Sequence, residues 1–328
     1  MDALGIRRAA LVVDPNIEAL VRKTIDFLVR RLDEAELFRF SSNREAEVDG
    51  IVESLDGKEI NAVFGIGGGR AIDVAKMVAR RKDVDVISFP TLVSHDGIAS
   101  PVAVLLDDDG KKESLPARIP VAVVVDLDII GRAPIASIRA GVGDLVSNFS
   151  ALEDWKLGAI RTREQYHDLA AVMSNSAASS VFDMSEIGKT YLRHPDFIRR
   201  LVQGLILSGV AMSIAGSSRP ASGAEHNISH AIDSLFDINA YHGEQVALGT
   251  IVSTYFREGD WEKFIVFFQR LGLPVTSLDI GLSQTDFIKA IVEAPRTRKG
   301  RYTILDEIKV DEKLAQKAIA DINKRLIG

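Results

Sequence analysis

Cysteine is absent from all 328 residues. No disulfide, thiolate ligand or cysteine nucleophile is therefore available, and any metal must be held by His, Asp or Glu. The first residues, Met1-Asp2-Ala3-Leu4-Gly5-Ile6-Arg7-Arg8, carry no apolar signal-peptide region, and no apolar run approaches the length of a membrane span. The expectation is a cytoplasmic protein with no membrane insertion. Excess positive charge is missing too: 40 Lys and Arg stand against 46 Asp and Glu, a formal charge of −6. This disfavours a nucleic-acid partner and confines any anion site to a local basic pocket. There is no repeat of fixed period and no low-complexity segment. What remains, 46% apolar and 26% charged residues, is the composition of a globular protein, and the length predicts two domains.

Over the first third of the chain, short β-branched runs alternate with amphipathic segments. Residues 9–13, 37–40, 62–64 and 84–89 read as strands, and residues 17–32, 45–55 and 71–80 as helices, which is a βαβ pattern. Residues 102–106 and 122–125 flank Asp107-Asp108-Asp109-Gly110, read as the tip of a hairpin or excursion. Val121-Ala122-Val123-Val124-Val125 suits a parallel strand buried on both faces. After Pro134 the β-runs cease, and helical periodicity covers residues 135–157, 164–180, 196–215, 224–235, 245–256, 261–271 and 314–326. The expected fold is an α/β Rossmann-like domain with a mostly parallel sheet over residues 1–133, followed by an all-α domain over 134–328. The expected active site is the cleft between them, facing the C-terminal ends of the strands.

Chemistry-bearing residues concentrate in four places. Gly223-Ala224-Glu225-His226-Asn227-Ile228-Ser229-His230 and Tyr241-His242-Gly243-Glu244 put three of the six histidines within 17 residues. On a helix, His226 and His230 share a face, and His242 can return to the same point after a turn. Two or three imidazoles and a carboxylate from elsewhere would hold a divalent cation with one position open to substrate. Gly141-Val142-Gly143-Asp144 offers such a carboxylate. Gly65-Ile66-Gly67-Gly68-Gly69-Arg70 follows a strand and opens a helix, where backbone N–H groups can hold a pyrophosphate. It is not the usual dinucleotide fingerprint, since it follows the third strand and Arg70 stands where the last glycine belongs. Finally, Thr91-Leu92-Val93-Ser94-His95-Asp96-Gly97-Ile98-Ala99-Ser100-Pro101 gathers hydroxyls, an imidazole and a carboxylate after the next strand.

Taken in order, these motifs resemble those of the sn-glycerol-1-phosphate dehydrogenase family. They are Gly67-Gly68-Gly69-Arg70 with Asp73 and Lys76, the segment from Thr91 to Pro101, Gly143-Asp144, Gly216-Ser217-Ser218-Arg219-Pro220-Ala221-Ser222-Gly223-Ala224-Glu225-His226 and Tyr241-His242-Gly243-Glu244. This family is the archaeal branch of a superfamily that includes glycerol dehydrogenase, iron-dependent alcohol dehydrogenase and dehydroquinate synthase. The resemblance implies one Zn2+ per subunit on Asp144, His226 and His242. It places His230 and Asp96 at the substrate as catalytic residues, with Asp144 also touching substrate. It assigns Gly67, Gly68, Gly69, Arg70, Ala71, Ile72, Asp73, Thr91, Ser94 and Ser100 to an NADH or NADPH cofactor. Asn148 stands where the iron-dependent branch has a fourth ligand, His, so three ligands are favoured. Asp144 stands where dehydroquinate synthases have Glu.

The implied reaction is reversible reduction of dihydroxyacetone phosphate to sn-glycerol 1-phosphate, the backbone of archaeal membrane lipids, by a homo-oligomer. The proton donor is left open between His230 and a water relay. Arg219 and the run Arg296-Thr297-Arg298-Lys299-Gly300-Arg301 offer cations for the phosphate, Arg301 within an Arg-Tyr-Thr-Ile-Leu element that the family shares. Ser41-Ser42-Asn43 after the second strand carries no acid against a 2′-phosphate, and Arg44 offers it a cation, which predicts use of both cofactors. Glycerol dehydrogenase, acting on an unphosphorylated substrate, and a dehydroquinate-synthase-like cyclase are the competing readings, with an inert metal- or nucleotide-binding protein as a third.

Overall fold

A computed structural model describes residues 2–184 and 188–327. The chain separates into two compact units, Met1–Ala133 and Pro134–Gly328.

In the first unit, strands β1 (Arg8–Val13), β2 (Glu34–Arg39), β3 (Ala62–Gly67), β4 (Asp85–Pro90) and β7 (Ala122–Val123) form one parallel sheet in the order β2-β1-β3-β4-β7. Helices α1 (Glu18–Arg31), α2 (Glu45–Ser54) and α3 (Gly69–Lys82) connect the first four strands. The pleat sorts side chains by parity. Ala10 and Val12 of β1 and Val63 of β3 join Val74, Val78 and Val48 in one core, while Leu11, Val13, Phe64 and Ile66 join Val21, Ile25 and Leu28 in another. Burial on both faces explains why these strands read as continuous apolar runs. Strands β5 (Val102–Leu106) and β6 (Lys112–Pro116) form an antiparallel hairpin around residues 107–111, and α4 (Leu127–Arg132) ends the unit.

Two expectations change here. The hairpin partner of β5 is β6, not residues 122–125, because Asp107 Oδ1 accepts the Lys111 amide at 2.8 Å and closes a tight turn. The run Val121-Ala122-Val123-Val124-Val125 supplies only a two-residue edge strand, with Val121 44% and Val124 46% exposed.

The second unit is helical among its described residues. It comprises α5 (Ile135–Val146), α6 (Asn148–Thr162), α7 (Asp168–Phe182), α8 (Pro195–Ala215), α9 (Ala224–Leu235), α10 (His242–Phe256), α11 (Glu262–Leu271), α12 (Gln284–Thr297), α13 (Ile304–Glu307) and α14 (Glu312–Ile327). The expected helix over residues 135–157 is two helices. Ser147 Oγ donates to the Asp144 carbonyl at 2.6 Å, the back-bonding that bends a helix. Helix α12 lies outside the segments whose periodicity predicts a helix. Its N-cap is Ser283, whose Oγ accepts the Asp286 amide, and Phe287, Ala290, Ile291 and Ala294 form its buried stripe. Helix α8 is, among the described residues, long and apolar enough to cross a membrane, contrary to the expectation from sequence. Phe197, Leu201, Leu205 and Met212 nonetheless face the interior, where α8 packs on α7.

Candidate functional site

Helices α5 and α10 cross at glycine. A methyl group on Gly143 would strike the carbonyl oxygen of Gly243, and one on Gly243 would strike that of Ala140. The two backbones therefore touch, and the residue beside each glycine, Asp144 on α5 and His242 at the start of α10, is brought to the same point. Helix α9 packs on α10 with similar closeness, since a methyl on Gly249 would lie 2.6 Å from the Glu225 carbonyl oxygen. That contact brings in His226.

The result is a cluster of three donors. His226 Nε2 lies 3.7 Å and His242 Nε2 3.8 Å from Asp144 Oδ1, and one ligand atom from each residue falls within 4.8 Å of the others. Binding lengths of about 2.0–2.2 Å ask for only a slight contraction of this triangle. Asp144 and His226 are buried.

The far side of each imidazole is held in turn. His226 Nδ1 lies 3.0 Å from Glu225 Oε1, and His242 Nδ1 lies 3.0 Å from Ser229 Oγ, which bonds Gln245 Oε1 at 2.6 Å. Such outer partners fix the ring orientation so that Nε2 points inward. Glu225 is itself fully buried and accepts from the Gly223 amide at 2.5 Å and from Ser150 Oγ at 2.7 Å. Burial works against its charge, yet these bonds and His226 hold its carboxyl below the ordinary range. Burial would likewise lower the His226 pKa, but the carboxylates of Asp144 and Glu225 outweigh it and raise it to about 9. With the carboxylates of Asp144 and Glu225 on either side of the His226 ring, the site favours positive charge, and its carboxylate and imidazole donors fit a divalent metal ion.

Asn148 does not join the donors. It is buried with Nδ2 donating to Ser208 Oγ at 3.0 Å, tied to α8. His230, one turn beyond His226 on α9, has its ring centroid 6.2 Å from that of His242 and is absent from the three-donor group.

The arginines divide into two kinds. Arg219 is 5% exposed, with Nη2 donating to Glu164 at 2.7 Å and Nη1 to the Tyr302 carbonyl at 2.8 Å. The expectation that it contacts a phosphate is thereby revised: its guanidinium ties residue 302 to the segment joining α6 and α7. Arg298 and Arg301 are half-buried and bond Ser222 and Ser218. Sequence reasoning passed over the roles of Glu225 and Asp154, and it named Arg298 only as one cation of the run from Arg296 to Arg301. Asp154 accepts from the Ala224 amide and the Ile304 amide, both at 2.7 Å, pinning the starts of α9 and α13.

In the first unit, Gly68 is the N-cap of α3 and offers the first-turn amides no side chain of its own. This fits an anion such as a pyrophosphate. Gly67 has φ +151°, and Thr91, beside it, donates its amide to the Gly67 carbonyl at 2.9 Å. Gly69 gives room to the His95 ring, which a methyl there would meet at 2.7 Å. Arg70 is exposed, Ala71 and Ile72 are buried, and Ser94 and Asp96 are half-buried. Asp73 and Ser100 turn inward: Asp73 Oδ2 accepts the Val104 amide at 3.1 Å, and Ser100 Oγ lies 3.4 Å from the buried Lys76 Nζ. Lys76 also donates to the carbonyls of Gly97 at 2.5 Å and Val102 at 2.8 Å, so this group shapes the 91–101 loop from beneath. Ser41 bonds Glu47 at 2.7 Å, which brings an acid to the end of β2, and Arg44 is taken up by the carbonyls of Asp107 and Asp108.

The family model of iron-containing alcohol dehydrogenases matches residues 1–134. A glycerol-1-phosphate dehydrogenase [NAD(P)+] from Hyperthermus butylicus is 42% identical over 299 residues, spanning 91% of this chain and 84% of that protein. The chain belongs to the glycerol-1-phosphate dehydrogenase family. The family member from Archaeoglobus fulgidus is 44% identical over 256 residues, covering 76% of this chain and 72% of its own length. Among solved structures, a probable glycerol dehydrogenase from Sinorhizobium meliloti matches 98% of this chain and 92% of its own with a TM-score of 0.77. At 23% identity that likeness speaks for the fold alone.

Proposed function

We propose that this chain reduces dihydroxyacetone phosphate to sn-glycerol 1-phosphate, with NADH or NADPH giving up a hydride and a proton taken from the site or solvent. The observation that carries the reading is the convergence of Asp144, His226 and His242 within 4.8 Å, in a chain of this family. When bound, the nicotinamide supplies the hydride, and a divalent ion, for which we propose zinc, supplies a Lewis acid for the substrate's oxygens.

The chain's own part is to hold and orient. Asp144, His226 and His242 hold the ion, with Asp144 also bordering the substrate. The turn Gly67, Gly68 and Gly69, with Arg70, Ala71 and Ile72 opening α3, offers amides to the cofactor's pyrophosphate. Thr91 and Ser94 line that edge of the sheet, and Asp73 and Ser100 set the loop's shape from below. Asp96, at the head of a short turn over Asp96–Ile98, is assigned to the substrate. His230 is assigned to the proton at the carbonyl oxygen, supported by its place on the same helix face as His226 and its distance from His242. The product would serve as the backbone of archaeal membrane lipids.

We take the enzyme to be a cytoplasmic homo-oligomer without nucleic-acid partner. The exposed apolar side chains of Ile160, Leu169 and Val172 support self-association. Parallel assays of NADH and NADPH oxidation with dihydroxyacetone phosphate and with dihydroxyacetone test the reading. Sustained turnover on the phosphorylated ketone is expected. Turnover confined to dihydroxyacetone would favour a glycerol dehydrogenase, and no net cofactor consumption would favour a cyclase.

A further inference from the structure

The segment after α12 is anchored along its length. Thr297 Oγ1 donates to the Ala294 carbonyl at 2.8 Å and lies 3.4 Å from the Asn227 carbonyl, Arg219 holds the Tyr302 carbonyl, and Asp154 holds the Ile304 amide. Between these ties, Gly300 adopts φ +83° and the Arg301 amide returns to the Arg298 carbonyl at 3.3 Å. Only a glycine enters this left-handed turn without strain. The turn directs both guanidinium groups to the residues that precede α9. Arg298 Nη1 donates to Ser222 Oγ at 2.9 Å, and Arg301 Nη2 donates to Ser218 Oγ at 2.8 Å, with Nη1 on the Ser222 carbonyl.

The charge here is unbalanced. Three guanidinium groups, Arg219, Arg298 and Arg301, share one field with the carboxylates of Glu164 and Glu225. Glu164 is paired with Arg219, and Glu225 is bonded to His226. Burial, then Arg298 and Arg219, pull the Arg301 pKa down to about 9, and burial lowers that of Arg298. Each guanidinium has five N–H donors, of which, among the described residues, Arg298 gives one and Arg301 two. A half-buried set of cations with donors to spare is a costly arrangement that a bound anion relieves. Ser222 lies four residues before His226, and Glu225 faces both the arginines and the metal donors, so the anion would sit beside the triad.

We propose that Arg298 and Arg301, with the hydroxyls of Ser218 and Ser222, form a pocket for a phosphate monoester, and that Arg219 positions its wall without touching the ligand. The assignment of that phosphate to the substrate rests on the reductase reading above. Two planar forks and two hydroxyls offer more donors than the two oxygens of a carboxylate can use and suit the three oxygens of a phosphate monoester.

The test uses the zinc-loaded enzyme and its Arg298→Gln and Arg298→Lys variants at constant ionic strength. Arg298→Gln should raise the KM for dihydroxyacetone phosphate about tenfold to a hundredfold, and by much more than that for dihydroxyacetone. Inorganic phosphate, titrated calorimetrically, should weaken by a similar factor, and Arg298→Lys should recover part of both losses. Equal losses on the two ketones, or phosphate affinity indifferent to Arg298, would overturn the pocket while leaving the reductase reading intact. If neither ketone is reduced, that reading fails, and the Arg298 dependence of inorganic phosphate binding still decides the pocket.

Discussion

Glu225 Oε1 lies 3.0 Å from Nδ1 of His226, on the side of the ring opposite Asp144. Adjacent in sequence, the two side chains meet because the Gly223 amide and Ser150 hold the carboxylate against the imidazole. Replacing His226 with Ala removes one of three protein ligands and should release the metal. Glu225→Gln keeps the ligands but loses the charged outer partner, so metal affinity should fall about tenfold to a hundredfold. Metal analysis after dialysis checks both. Full occupancy in the His226 variant would refute the ligand set.

The crossing of α5 and α10 predicts an effect at residues that carry no functional group. Gly143→Ala or Gly243→Ala forces a methyl into opposing backbone and should destabilise the protein by about 1–3 kcal/mol. It should also weaken metal retention, because Asp144 and His242 are carried apart. Denaturant unfolding with metal analysis measures both effects. A variant that kept wild-type stability and metal would mean that the helices do not touch here.

His230 stands outside the donor triangle. His230→Ala should therefore retain metal while losing turnover, by about a hundredfold to ten-thousandfold if it handles the proton. Metal loss matching that of the His226 variant would make His230 a ligand instead.

The metal-free protein should have a distinctive pH dependence. His226 has a folded pKa of about 9, above its ordinary 6.5, so folding favours the protonated ring. That stabilisation is fully present below pH 6.5 and lost as pH rises through about 9. Wild type minus His226→Gln unfolding free energy, measured with chelator present, should shrink across that window. A difference that stays level or grows with pH would contradict the assigned proton.

Much of this was legible in the sequence. Helix α9 occupies Ala224–Leu235, the same bounds that its periodicity predicts; His226 and His242 stand out because three of the six histidines fall within 17 residues, and Asp144 because it follows Gly143 in an otherwise apolar segment. What escaped was set by tertiary contact. Glu225 reads as an ordinary first-turn acid, and Asp154 meets Ile304 from 150 residues away. The run from Arg296 to Arg301 reads as a source of cations for the phosphate, but a charge run does not tell which of its guanidinium groups turn inward. Arg219 and Arg44 have the right charge near the right motifs, but their donors go to Glu164, Tyr302 and the hairpin carbonyls. An apolar run such as residues 121–125 cannot reveal that it lies at a sheet edge, since periodicity reports a face and not a neighbour.

Configuration of the product tests the central claim most directly. Dihydroxyacetone phosphate reduced by the zinc-loaded enzyme with NADPH should yield sn-glycerol 1-phosphate, identified by enantiomer-specific enzymatic or chiral chromatographic analysis. Formation of sn-glycerol 3-phosphate, or of no glycerol phosphate at all, would contradict it.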